Sequence, residues 1–242
     1  MTENETEIML EGLKLNAMAQ SYRETMRSQA STSMTTQEVI AHMCLAQKEA
    51  NRHKTFMRLK RAAKFKHDAQ PEDIIWGTAR GIDKAKFRAL LLPDWVNRKE
   101  NIMITGASGT GKSWLACAIG QSLIRHEVTV KYMRTNPLLD VMRTAHLDGT
   151  IAKLRRTLTR PQVLILDDFG VAPITEPEKE DLFELLEART DVGSTLITGQ
   201  LSPSEWYNYL AAGHLADAIM DRIIQRSHSI ELKGKSLRTR LA

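Results

Sequence analysis

The residues Gly106-Ala107-Ser108-Gly109-Thr110-Gly111-Lys112-Ser113 constrain this chain more than any other stretch. They fit Gly-x-x-x-x-Gly-Lys-[Ser/Thr], directly after the apolar run Ile102-Met103-Ile104 and ahead of a helical pattern. Small residues let the backbone close around phosphate oxygens, and the amides of the following helix N-terminus point at the anion. The loop therefore predicts a nucleotide site formed by Gly106, Ala107, Ser108, Gly109, Thr110, Gly111, Lys112 and Ser113. Lys112 would reach the β- and γ-phosphates, and the Ser113 hydroxyl would ligate Mg2+.

A second element fits the first. Val163-Leu164-Ile165-Leu166 is a buried-strand pattern that ends in Asp167-Asp168, and it delivers acids to the sheet edge where the loop lies. Asp167 is the expected metal-side carboxylate, and Asp168 the expected general base or water-positioning group. Loop and acids together specify a nucleoside triphosphatase rather than a simple anion site.

Apolar runs at 101–105, 128–133, 163–166, 194–198 and 229–232 alternate with helical stretches near 113–125, 136–148, 175–190 and 203–226. That alternation predicts an α/β core with a five-stranded parallel sheet covered by helices on both faces. Before it, residues 7–27 and 36–66 read as two helices, with Thr36 as N-cap of the second and Val39, Ile40, Met43, Cys44 and Ala46 as its buried stripe. The expected organisation is a small helical domain at 1–68, a connector at 69–100 and the core at 101–242. No apolar stretch approaches membrane-spanning length, and the acidic N-terminal residues do not suit a signal peptide, so a cytoplasmic protein is expected. Cys44 and Cys117 lack any metal or disulfide spacing and are expected to be buried small residues.

The net charge of +5 is uninformative until it is located. Lys48, Arg52, Lys54, Arg58, Lys60, Arg61, Lys64 and Lys66 face only Glu49 within 48–66, a local +7. Without interspersed acids to pair with, such a helix suits a phosphate backbone, and a nucleic acid is the expected partner, with an acidic protein or a plain solvated face as alternatives.

The order of these features resembles the IstB-like ATP-binding proteins of bacterial insertion sequences, in the DnaC and DnaA initiator branch of AAA+ ATPases. Carrying the resemblance are Leu10-Glu11-Gly12-Leu13-Lys14-Leu15, Arg58-Leu59-Lys60-Arg61, Arg80-Gly81-Ile82-Asp83 and the loop itself. It continues through Leu166-Asp167-Asp168-Phe169-Gly170, Ser194 to Leu201, Ala216 to Arg222 and Ile230 to Arg238. It implies an AAA+ ATPase using ATP and Mg2+ that self-assembles on duplex DNA and serves a partner transposase, with ATP sites at subunit interfaces. Arg222 would then be an arginine finger acting across a subunit boundary, Arg238 a sensor 2 arginine in cis, and Gln200, or Thr198 beside it, the sensor 1 residue. The C-terminal lid of many AAA+ proteins would be absent or reduced to 203–226.

Three other readings share parts of this pattern. A DnaC-like helicase loader has the same core, a small-molecule kinase could use Lys153, Arg155, Arg156 and Arg160 as a lid, and a non-catalytic adaptor would bind nucleotide with little turnover.

Overall fold

The computed structural model describes residues 3–28, 34–76 and 80–237. Two compact units make up the chain, Met1–Arg58 and Leu59–Ala242. The division falls inside a helix rather than near Pro71, because residues beyond 58 already supply buried positions of the larger unit: Leu59, Ala63 and Ala69.

In the smaller unit, the expected single helix at 7–27 is two, α1 (Glu3–Gly12) and α2 (Asn16–Arg27). The break is a helix stop in which Lys14 adopts φ 61°, its amide bonds Glu11 O and the Leu15 amide reaches back to Leu10 O. Glycine usually fills that left-handed position, so a lysine there left no local signal. Helix α3 (Thr36–Ala63) starts one residue away from the expected cap: Thr35 and Glu38 bond reciprocally, with Thr35 N to Glu38 Oε2 at 2.7 Å and Glu38 N to Thr35 Oγ1 at 3.3 Å. Gln47 of α3 accepts from the Ala17 and Met18 amides at 3.2 Å, supplying the cap that Leu15 cannot. The Ser21 hydroxyl meets His42 Nδ1 at 3.1 Å on the same stripe. Of the expected buried stripe only Met43 is buried, while Ile40 and Cys44 are exposed. The contacts to α2 come instead from His42 and Gln47, with Met43 buried between them.

The larger unit begins with the end of α3 and a 3-10 turn at Pro71–Asp73, followed by α4 (Lys84–Leu90), which Asp83 caps, and α5 (Asp94–Asn97). Then strand and helix alternate: β1 (Asn101–Gly106), α6 (Lys112–Arg125), β2 (Val130–Arg134), α7 (Thr135–Leu147), α8 (Ile151–Thr159), β3 (Val163–Phe169), α9 (Glu176–Arg189), β4 (Ser194–Gly199), α10 (Pro203–Tyr209), α11 (His214–Ile224) and β5 (Ser227–Leu232). All pairings are parallel, in the order β2-β3-β4-β1-β5. Side chains alternate across the sheet, so Leu164 and Leu166 enter a core with α7 to α11 while Ile165 points to α6 on the other face.

Residues 203–226 are not a lid. Trp206 and Leu210 of α10 and Ala216, Ile219, Met220 and Ile223 of α11 belong to the buried cluster on the sheet. Gly199 is fixed by this packing, since a Cβ there would lie 2.8 Å from the Trp206 ring and 2.9 Å from Phe169 O.

Candidate functional site

The phosphate-loop sequence places glycines where its backbone turns left-handed. Gly106, Gly109 and Gly111 adopt φ of 141°, 81° and 94°, conformations that side chains resist, and Gly111 is the N-cap residue of α6. Lys112 is only 6% exposed, and its ammonium donates to Gly106 O at 2.7 Å and Ala107 O at 2.9 Å, while Thr110 Oγ1 donates to Ala107 O at 2.8 Å. The two carbonyls hold the ammonium at the mouth of the loop, where the amides of the α6 N-terminus also gather.

The acid strand meets this loop. Ser113 Oγ donates to Asp167 Oδ1 at 2.7 Å, bringing the start of α6 to the end of β3. Asp167 is fully buried, and three further hydroxyls hold it: Thr198 Oγ1 donates to Oδ1, Tyr132 OH to Oδ2 at 2.5 Å and Thr135 Oγ1 to its carbonyl at 3.1 Å. Burial first, and then the bond to Asp167, push the Tyr132 hydroxyl far above its ordinary pKa, so it stays a proton donor.

Asp168 lies beyond a register shift between Leu166 and Phe169 and adopts φ 60°. Its Oδ2 faces two cations, Arg134 Nε at 3.3 Å and Lys66 Nζ at 3.8 Å, and Lys66 Nζ is also 3.9 Å from Asp167 Oδ2. Thr198 Oγ1 accepts from the Asp168 amide at 3.3 Å, so of the two polar residues expected at the end of β4 Thr198 is the one that touches the acids, and Gln200 is exposed.

The connector and the chain end flank the loop. Arg80 donates to Thr110 O at 2.8 Å and Ile75 O at 2.7 Å, and the Leu237 amide donates to Gly109 O at 2.9 Å. Gly109 leaves room for Ser236, whose Oγ would lie 2.2 Å from a Cβ at that position. Arg238 lies outside the described residues.

Arg222 sits at the far end of the sheet. Its carbonyl accepts from Asn101 Nδ2 at 2.9 Å, at the start of β1, while the loop follows the end of β1, on the order of 15 Å away by strand rise. The guanidinium is held by Glu187 (2.6 Å) and lies 5.2 Å from the Phe183 ring centroid, out of reach of its own loop.

The cations assigned to DNA divide between the units. Lys48, Arg52, Lys54 and Arg58 are exposed on the smaller one, and at 100° per residue Lys48 and Arg52 form one row while Lys54 and Arg58 form another. On the larger unit Arg61, Lys64 and Lys66 are exposed, Lys60 pairs with Asp68 at 2.6 Å, and the Lys66 ammonium reaches the acid pair. Tyr132 and Arg134 of β2 and Thr135 at the start of α7 carry no local pattern that marks them, because they meet the acids only once β2 pairs with β3.

Chemically, Ser113 Oγ and Asp167 are hard oxygen donors set side by side at the loop. Among the described residues no cluster of three or more His, Cys, Asp or Glu is arranged for a metal ion. A hydroxyl and a carboxylate of this kind fit Mg2+, which takes one or two protein oxygens and completes its shell with phosphate and water.

A family model described as IstB-like ATP binding protein matches residues 8–242. The insertion-sequence ATP-binding protein y4pL of Sinorhizobium fredii is 44% identical over 178 residues, covering 74% of this chain and 73% of its own. A second protein of that organism, y4uH, is described in the same words and is 35% identical over 241 residues, covering 98% and 96%. Among solved structures, AMPPCP-bound DnaA from Aquifex aeolicus is similar in fold, with a TM-score of 0.61 at 18% identity over 74% of this chain and 54% of that one.

Proposed function

The chain belongs to the family of IstB-like ATP-binding proteins, and from that premise we propose that it is a DNA-binding AAA+ ATPase of an insertion sequence, which assembles on duplex DNA and assists a partner transposase. The observation that carries the catalytic part is the 2.7 Å bond from Ser113 Oγ to Asp167, which joins the phosphate loop to the acid strand.

In this reading the loop amides wrap the phosphates and Lys112 turns from its carbonyls to the β- and γ-oxygens. Ser113 and Asp167 would hold magnesium, which would supply neutralisation of charge on those oxygens. Asp168, turned out of the strand by its left-handed backbone, orients the attacking water. Water oxygen bonds to the γ-phosphorus as the bond to the β,γ-bridging oxygen breaks, leaving ADP and phosphate. Arg222 of one subunit neutralises charge at the site of its neighbour, and Arg238 does so in cis. Thr198, rather than Gln200, senses the acid pair, and the exposed cations of α3 hold the duplex by its phosphates.

The helicase-loader reading is not better supported, since the relatives that span this chain are named as insertion-sequence proteins. The kinase reading loses a phosphate clamp, because Arg155 is bound by Asp181 at 3.0 Å and by Glu184.

Phosphate release from ATP and Mg2+, measured with and without duplex DNA and paired with electron microscopy in ATP and in ADP, tests the proposal. DNA-stimulated turnover with regular ATP-only assemblies supports it; monomers in both nucleotide states and no turnover overturn it.

A further inference from the structure

Consecutive residues of a strand point to opposite faces, so Asp167 and Asp168 should not share a partner. They do share one. The register shift at the end of β3 and the left-handed backbone of Asp168 bring both Oδ2 atoms within reach of the Lys66 ammonium, at 3.9 and 3.8 Å.

Lys66 is not an arm that happens to lie there. The segment carrying it is anchored on α6, the helix that begins at Lys112. The Phe65 ring covers Gly120, where a Cβ would come within 2.6 Å of it. Gln121 Nε2 donates to Asp68 Oδ1 at 2.7 Å. Cys117 sits beneath the backbone amides of His67 and Lys66, and Ala63 and Ala69 on either side are fully buried. Cys117, Gly120 and Gln121 lie on one face of α6 at i, i+3 and i+4. The backbone that carries Lys66 is thereby fixed relative to the phosphate loop by packing on both sides of it, and its exposed side chain reaches from there to the acid pair.

We infer that Lys66 is a built-in cation of the nucleotide site, whose ammonium offsets the paired charges of Asp167 and Asp168 so that the loop accepts a triphosphate before a metal ion is bound. The inference rests on reading Gly106 to Ser113 and Asp167 as a nucleotide site, and it takes Lys66 out of the DNA-binding set. Two adjacent carboxylates repel a triphosphate, and a cation between them and the solvent reduces that repulsion. Without the ammonium the acid pair would be more negative, so metal-free nucleotide would bind more weakly while Mg2+ would be held more tightly.

The test is equilibrium binding of a fluorescent ATP analogue to the full chain, in EDTA and across a Mg2+ titration, for the unaltered protein, Lys66→Met and Lys66→Arg, alongside duplex-DNA binding at one salt concentration. Lys66→Met is expected to weaken binding in EDTA by about tenfold and to lower the Mg2+ concentration for half-saturation. Lys66→Arg should restore both to within about twofold, and DNA affinity should stay within about twofold throughout. Unchanged binding in EDTA for Lys66→Met, or lost DNA affinity with nucleotide binding intact, overturns the inference alone. A weakened Lys66→Met that Lys66→Arg does not restore overturns it in favour of a packing role. If the unaltered protein binds no nucleotide with or without Mg2+, the underlying reading of the site falls with it.

Discussion

Ser113 and Asp167 are joined by a 2.7 Å hydrogen bond between the first turn of the loop helix and the end of the acid strand, and Asp167 is fully buried there. The carboxylate has four hydroxyl or ammonium neighbours, so its charge is tolerated by donors rather than by water.

Removing one of those donors separates metal from nucleotide binding. Ser113→Ala should leave Asp167 held by Thr198 and Tyr132, so the fold survives with a stability loss of about 1 kcal/mol. Affinity for an ATP analogue in EDTA should change little, while the gain on adding Mg2+ should largely vanish. Calorimetric titration in both buffers reads the two effects separately.

The distance between Arg222 and its own loop predicts complementation. Arg222→Ala should bind nucleotide normally and hydrolyse none of it, and Lys112→Ala should fail to bind. Mixed together they should recover turnover, because the intact loop of the first meets the intact arginine of the second. No recovery at any mixing ratio would refute action across a subunit boundary.

Gly199→Ala should destabilise the larger unit by about 1–3 kcal/mol, since the added methyl meets the Trp206 indole and the Phe169 carbonyl together. A lower denaturant midpoint with unchanged slope is the expected result.

Glu100 gives a pH signature remote from the site. Its hydrogen bonds to the Arg98 guanidinium, with a smaller contribution from His228, bring its pKa down from 4.5 to about 2. A carboxyl depressed in the folded state stabilises fully above its unfolded pKa, and that contribution is lost as pH falls from about 4.5 to about 2. The melting temperature of the unaltered protein should therefore exceed that of Glu100→Gln at pH 6, and the gap should close by pH 2. A constant gap across that window would contradict the assignment.

The phosphate loop, the buried strand that ends in Asp167 and Asp168, and the five-stranded alternation were all legible in the sequence. Each depends on neighbours in the chain: glycines at positions of positive φ, a run of apolar residues, a change of period from strand to helix. Residue type and spacing are enough to determine such features. Nothing local marks Lys14 as a helix stop, Gly199 as the seat of Trp206, or Tyr132 and Thr198 as donors to a carboxylate on another strand. Lys66 is the sharpest case, one of eight cations in a run by sequence, set apart when Phe65, Cys117 and Asp68 anchor its segment on α6. Arg222 likewise could be named from its motif, but only the folding of α11 against the start of β1 decided that it faces away from its own loop. Charge and period are properties of the chain, whereas which charge meets which acid is set by packing between elements remote in sequence.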